Sequence, residues 1–156
     1  MLAGPEGIST SIDRVNGYRR ALHEAGLSQK AEGIFWGKYT QKSGYAMAQK
    51  MLDDMPEVTA IVAANNFIAI GAMQVFHERK FRVPEDIALV TVDDIPAALT
   101  ITPFFTVATQ SASEMGKQAT LLLLNRISGV TDAPCQEMVL PVETIIRTSS
   151  GKKLSS

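Results

Sequence analysis

The stretch "TAIVAANNFIAIGAM", Thr59–Met73, decides the fold. Its first half is apolar and rich in β-branched residues, as strands covered on both sheet faces are. Its second half begins a helical pattern in which Ala69, Ala72, Met73 and Phe76 recur on one side, running from about Phe67 to Arg79. Two adjacent carboxamides, Asn65 and Asn66, stand where strand gives way to helix. A strand that runs straight into a helix is half of a βα repeat, so the neighbouring segments decide the architecture.

Upstream, "STSIDRVNGYRRALHEAGL" reads as a helix with Ile12, Val15, Tyr18 and Leu22 on one side. Ser9 or Thr10 is available to cap it and Gly26 to end it. "AEGIFWGKYT" is a short strand-like run, and "QKSGYAMAQKMLDDMP" a second helix with Met47, Met51 and Leu52 inward. Downstream, Ile87 to Val92 form a buried strand ending in Asp93-Asp94. A Pro-containing loop leads to the short strand of "ITPFFTVATQ". "SASEMGKQATLLLLNRISG" is a helix with the stripe Met115, Ala119, Leu122 and Leu123, and "QEMVLPVETIIRTSS" is a last strand edged by Pro141. Alternation of this kind predicts an α/β fold, a parallel sheet flanked by helices on both faces. Right-handed crossovers place the strand-to-helix loops at one sheet edge, where such folds bind ligands. Lys38-Tyr39, Asn65-Asn66 and Asp93-Asp94 all fall at that edge.

Composition narrows the function. The chain has 156 residues, 46% hydrophobic and 20% charged, with a formal net charge of −1. Gripping nucleic acid calls for a concentrated basic surface, and the basic pairs here are scattered. One cysteine, Cys135, allows no internal disulfide or thiolate cluster. Two histidines, His23 and His77, lie on polar helix sides, so neither a metal site nor a cofactor is expected. "MLAGPEG" lacks the parts of a signal peptide and no apolar run reaches membrane-spanning length, so the expected location is the cytoplasm, without membrane association.

Four residue types at the loop edge suit a small polar ligand. Asp93 can accept two hydroxyls of a polyol, Asn65 can donate and accept, Tyr39 offers a flat face for a ring, and Arg14 supplies a rigid donor fork. Each has a structural alternative. Asn or Asp after a strand commonly caps the following helix, the reading favoured for Asn66 and Asp94 and balanced for Asn65 and Asp93. Arg14 alone would be a surface cation, and Tyr39 alone a packing residue. Catalysis has less support. Adjacent carboxylates point apart, and no Gly-rich phosphate loop, GxSxG, HExxH or CxxC occurs.

"DRVNGYRRALHEAGL", "KYTQKSGYAMAQKML", "TAIVAANNFIAIGAM", "VPEDIALVTVDD", "ITPFFTVATQ" and "GKQATLLLLNRISG" occur in an order that resembles the lactose/galactose repressor family of bacterial transcription regulators. The resemblance covers residues 2–149 and implies the C-terminal effector-binding lobe, with a periplasmic-binding-protein-like fold. It implies ligand contacts from Thr10, Arg14, Tyr39, Asn65, Asp93 and Gln110, and a homodimer interface around Ile70, Met73, His77 and Ile101. The implied effector is a sugar, a sugar phosphate or a purine. Operator DNA would be read through a helix-turn-helix that this chain lacks. Residues 109–129 would return to an absent N-terminal lobe, leaving the apolar stripe of the last helix without its usual sheet, and residues 150–156 would be a polar tail. Asn66, Lys38 and Thr91 depart from the family's usual aspartate, acidic residue and glycine. A sugar-binding protein of a transport system with the same fold is the alternative.

Overall fold

A computed structural model describes residues 1–27, 33–96, 102–129, 134 and 137–151 of the chain. The helices are α1 (Ser9–Glu24), α2 (Gln41–Asp54), α3 (Asn66–Glu78) and α4 (Ala112–Ile127). The strands are β1 (Ala60–Ala63), β2 (Ala88–Val92), β3 (Thr106–Gln110) and β4 (Val142–Ile145), lying in the order β1-β2-β3-β4. β1, β2 and β3 run parallel, and β4 closes the edge antiparallel to β3 with Ala108 opposite Thr144. On the other side the sheet is widened by single parallel bridges from Leu2 to Ala63 and to Phe35. Among the described residues of the strand-like run, 33–37, one bridge at Phe35 stands in place of a full strand.

The apolar runs suggest strands covered on both faces, but burial alternates along them. In β1 Ile61 and Ala63 are buried, and in β2 Leu89 and Thr91. α3 lies on these strands and on α2, burying Ile68, Ala69, Ala72, Val75 and Phe76. Phe76, fully buried, contributes on the order of 2–3 kcal/mol relative to an exposed position. α2 buries Met47, Met51 and Leu52. The two helices meet backbone to backbone. A Cβ on Gly44 would strike the Ile68 carbonyl, and one on Gly71 the Gln41 carbonyl, so neither position has room for a side chain.

α1 departs from the expected pattern. Its N-cap is Ile8 with no side-chain cap, so Ser9 and Thr10 belong to the first turn. Ile12 is 41% exposed while Ser11 is fully buried, so Ser11 takes the place expected of Ile12 on the inward stripe with Val15, Tyr18 and Leu22. α4 is capped by Ser111 but buries no residue, and Met115, Leu123, Leu124 and Ile127 are all exposed.

The last described segment is stitched into the sheet. Ser149 Oγ donates to the Leu89 carbonyl at 2.6 Å and accepts the Thr106 N–H at 2.8 Å, bridging β2 and β3. Ser150 shares a 2.7 Å hydrogen bond with Thr106 Oγ1, so the lobe includes Ser150 rather than leaving it to a polar tail. Arg147 grips Asp94 with both guanidinium ends, at 2.8 and 2.5 Å, and donates to the Phe105 carbonyl. Asp94 is therefore an ion-pair anchor, and its Oδ1 also accepts the Ile95 N–H at 2.8 Å.

Arg147 holds the Asp94 carboxyl below its usual value, chiefly by hydrogen bonding. A depressed folded-state pKa gives stability above the unfolded value of about 3.9 that is lost as pH falls through the depressed value. Urea denaturation of Asp94→Asn beside wild type should show a stability gap at pH 7 that narrows below pH 4. A gap constant between pH 7 and pH 3 would exclude this assignment.

Candidate functional site

The site is built where α1, the ends of β1 and β2, and the entry to α2 meet. Arg14, one turn into α1 and half-buried, donates through Nη1 to the Ala64 carbonyl at 2.8 Å, fixing its guanidinium against the end of β1. Nη2 then lies 3.8 Å from Asp93 Oδ2. At that distance the attraction is electrostatic rather than a hydrogen bond, and the Asp93 carboxylate, 44% exposed, keeps its acceptor capacity. Asp93 sits at φ 65°, in the left-handed region, while its N–H stays in the ladder on the Ala108 carbonyl. Asp and Asn enter this region more easily than most residues.

Tyr39 immediately precedes Thr40, the N-cap of α2, whose side chain accepts from the Ser43 N–H. Its ring lies beside the Arg14 guanidinium, 5.6 Å from ring centroid to Cζ, close enough for a cation–π attraction. The phenol oxygen is 2.8 Å from Ser11 Oγ and 3.5 Å from both Thr10 Oγ1 and Arg14 Nη1. Burial would raise the phenol pKa, but the Ser11 and Thr10 hydrogen bonds and the Arg14 charge outweigh it, and the net direction is down. Gly4 makes this placement possible, since a Cβ there would overlap the Tyr39 ring and the Ser11 hydroxyl.

The capping task favoured for Asn66 falls to Asn65. Asn65 is the N-cap of α3, and its Oδ1 accepts the Ile68 N–H at 2.9 Å. Asn66 is the first helical residue and reaches across the edge to donate through Nδ2 to the Asp94 carbonyl at 2.8 Å. The physical reason is phase: the cap must be extended, and Asn65 has φ −155° and ψ 173°. Capping engages only the carbonyl end of Asn65. Its Nδ2 has no hydrogen-bond partner among the described residues, so a donor remains.

The structure thus joins Thr10, Arg14, Tyr39 and Asp93 by direct contacts and sets Asn65 next to Ala64, the residue Arg14 holds. Gln110 stands apart: exposed at the end of β3, it shares a hollow with Pro141, Val142 and Glu143 and makes no hydrogen bond to the other site residues. Ile70 and Met73 line an apolar hollow with Ile95, Pro103 and Phe104, and His77 is exposed on the same helix. Ile101 lies outside the described residues. A further hollow beside α2 holds Trp36 and Met47, with Ser43 and the Lys50–Asp54 ion pair, 2.8 Å apart, as its polar lining. Among the described residues no cluster of three or more His, Cys, Asp or Glu could hold a metal ion, and no helix is long and apolar enough to cross a membrane.

Ser11 and Gly4 were not singled out from sequence. The available signal was a serine on the inward stripe with Val15 and Leu22, where an apolar residue is expected.

Comparison with known proteins places this geometry. The model of the periplasmic binding protein-like domain matches residues 1–150. The chain belongs to that family. Its relatives are transcription regulators. It is 34% identical over 148 residues to the HTH-type transcriptional regulator CelR of Thermobifida fusca, covering 95% of this chain and 43% of CelR. The CelR–cellobiose complex superposes with a TM-score of 0.87 at 35% identity, over 96% of this chain and 45% of that one. The lac repressor dimer bound to operator and the anti-inducer ONPF gives a TM-score of 0.82 at 28% identity, over 97% and 51%. The chain therefore spans less than half the length of CelR.

The Ser11–Tyr39 hydrogen bond is testable as a pair. Ser11→Ala or Tyr39→Phe alone removes one partner, and Tyr39→Phe in particular strands a fully buried hydroxyl. Each single change is expected to cost about 1–2 kcal/mol, and the double change less than the sum. Additive losses in urea denaturation would refute the coupling.

Proposed function

We propose that this chain is the effector-binding lobe of a transcription regulator related to the lactose/galactose repressor family, with no catalytic role of its own. The observation that carries the reading is the junction of Arg14, Tyr39 and Asp93, which brings one cation, one anion and one aromatic wall to the carboxyl edge of the sheet from widely separated segments. A guanidinium and a carboxylate of opposite sign beside a ring face suit a neutral polyhydroxyl ring, whose hydroxyls can accept from one and donate to the other. The cellobiose bound in the CelR structure has this chemistry. Effector binding in the full protein would shift an equilibrium between two lobe arrangements and so alter operator affinity through a DNA-binding domain outside these residues.

Two further assignments complete the reading. The apolar hollow of Ile70, Met73, Ile95 and Phe104 is a dimer face, in keeping with the dimeric lac repressor structure. α4 docks on a second lobe supplied by residues outside this chain, which accounts for Leu123 and Ile127 being 57% and 73% exposed.

Calorimetric titration of the full-length protein with cellobiose and neutral monosaccharides tests the site. Arg14→Ala and Asp93→Ala should each weaken the best binder by at least about tenfold, roughly 1.4 kcal/mol. Unchanged affinity in both would reject the assignment. For α4, the isolated 156-residue chain should exchange its Ala112–Ile127 amides with solvent within seconds, because an unsupported 16-residue helix is marginal. The same amides in the full-length protein should be protected, and equal exchange in the two would rule out docking.

A further inference from the structure

We propose that the hollow between α2 and the outer edge of the sheet is a second ligand site, one that takes a free aromatic amino acid in its zwitterionic form. It shares no lining residue with the effector site and does not rest on that reading.

The hollow holds about 580 Å³, within the roughly 300–1,000 Å³ of small-molecule sites. One wall is the sheet edge, where the Phe35 N–H donates to the Met1 carbonyl at 2.9 Å and the Phe35 carbonyl accepts the Ala3 N–H at 2.7 Å. Ile34 and Trp36 flank it, both half-buried. The other wall is one stripe of α2, since Ser43, Met47, Lys50 and Asp54 recur at the spacing of a single helix face. Ala46 lies beside them, exposed, and its single methyl leaves open a space that a longer side chain would fill. Gly37 fastens the two walls together, because a Cβ there would overlap Ser43 and Met47.

The polar groups of the lining fall at two ends. Ser43 Oγ accepts the Lys38 N–H at 2.8 Å, but its own proton has no acceptor among the described residues. The Trp36 indole N–H is likewise without a partner among them, where a buried indole ordinarily finds one. At the other end Lys50 Nζ and Asp54 Oδ2 stand 2.8 Å apart and are 68% and 47% exposed. An exposed pair of this kind contributes little stability, and one contact leaves the ammonium two further donors and the carboxylate a second oxygen. A lone carboxylate placed on Lys50 meets Asp54, and a lone ammonium placed on Asp54 meets Lys50. A molecule that carries both charges on one carbon instead completes an alternating ring of four charges. Its side chain then lies against Trp36, Phe35 and Met47, where offset stacking and sulfur contact favour an aromatic ring.

The test is calorimetric titration of the full-length protein with L-phenylalanine, L-tyrosine and L-tryptophan. Each is run beside the amine that lacks its carboxylate and the acid that lacks its ammonium. At least one amino acid is expected to bind at millimolar concentration or below, and at least about tenfold more tightly than either single-charge analogue. Ala46→Leu, which fills the hollow from an exposed helical position, and Lys50→Met should each weaken that binding about tenfold or more, with thermal unfolding run alongside to confirm that the variants fold. Asp93→Ala should leave it unchanged. Absence of binding by all three amino acids overturns the proposal, as does binding that Ala46→Leu and Lys50→Met leave intact. An analogue that binds as tightly as its amino acid overturns the choice of a zwitterion. Loss of the amino acid in Asp93→Ala would put it in the effector site and overturn the proposal as well. Sugar binding is read in a separate titration, so failure here leaves the effector reading standing.

Discussion

The close approach of α2 and α3 at Gly44 and Gly71 is the constraint on which the site depends. Side chains at these two positions would hold the helices apart, and interiors packed at crystal-like density have no slack to absorb the difference. Tyr39 leads into the start of α2, and Asn65 caps the start of α3. With the two helices locked backbone to backbone, the aromatic wall and the amide donor keep a fixed separation. Arg14 then spans the gap between them by holding the Ala64 carbonyl and facing the Tyr39 ring. The apolar hollow around Met73 lies on the same helix that Asn65 caps, so ligand groups and the proposed partner face share one rigid element.

A second constraint fixes the acidic side. Asp93 and Asp94 are neighbours with opposite tasks. Asp94 is tied to Arg147 and, through its carbonyl, to Asn66, while Asp93 is turned by a left-handed backbone toward Arg14. Tethering the one carboxylate keeps the other in place. The chain thereby presents a single negative charge to the proposed site from a pair of adjacent carboxylates.

Most of the architecture was legible because periodicity is a strong signal. β1, α3, β2 and α2 appear where continuous apolar runs and helical spacing put them, and the glycine pair is visible once the helices are placed. The division of labour between Asn65 and Asn66 was not, since it depends on which of two adjacent residues keeps an extended backbone, a difference of one residue in helix phase. The same one-residue phase hid Ser11 behind Ile12. Arg147 could not be tied to Asp94 either, because the pairing spans 53 positions and carries no local pattern. The antiparallel direction of β4 lay equally outside the βα repeat that organises the rest. In the proposed site, Tyr39 and Asp93 were readable as candidates from their position at the loop edge and Arg14 from its place in the first helix, whereas the hydroxyl network around Tyr39 needed coordinates.

The bridging of β2 and β3 by Ser149 bears on how the lobe is assembled. Its oxygen links Leu89 and Thr106, so the direct pairing of β2 with β3 is reinforced by a residue made after α4 and the segment beyond it have been synthesised. At roughly 5–20 residues per second, a nascent chain spends seconds with β1, β2 and β3 available but β4 missing. Contacts this distant in sequence also carry a large loop-closure entropy, which places them late on a folding route. The lobe is sealed by its last residues, and until then the outer edge of β3 is an open strand that any neighbouring nascent chain can pair with.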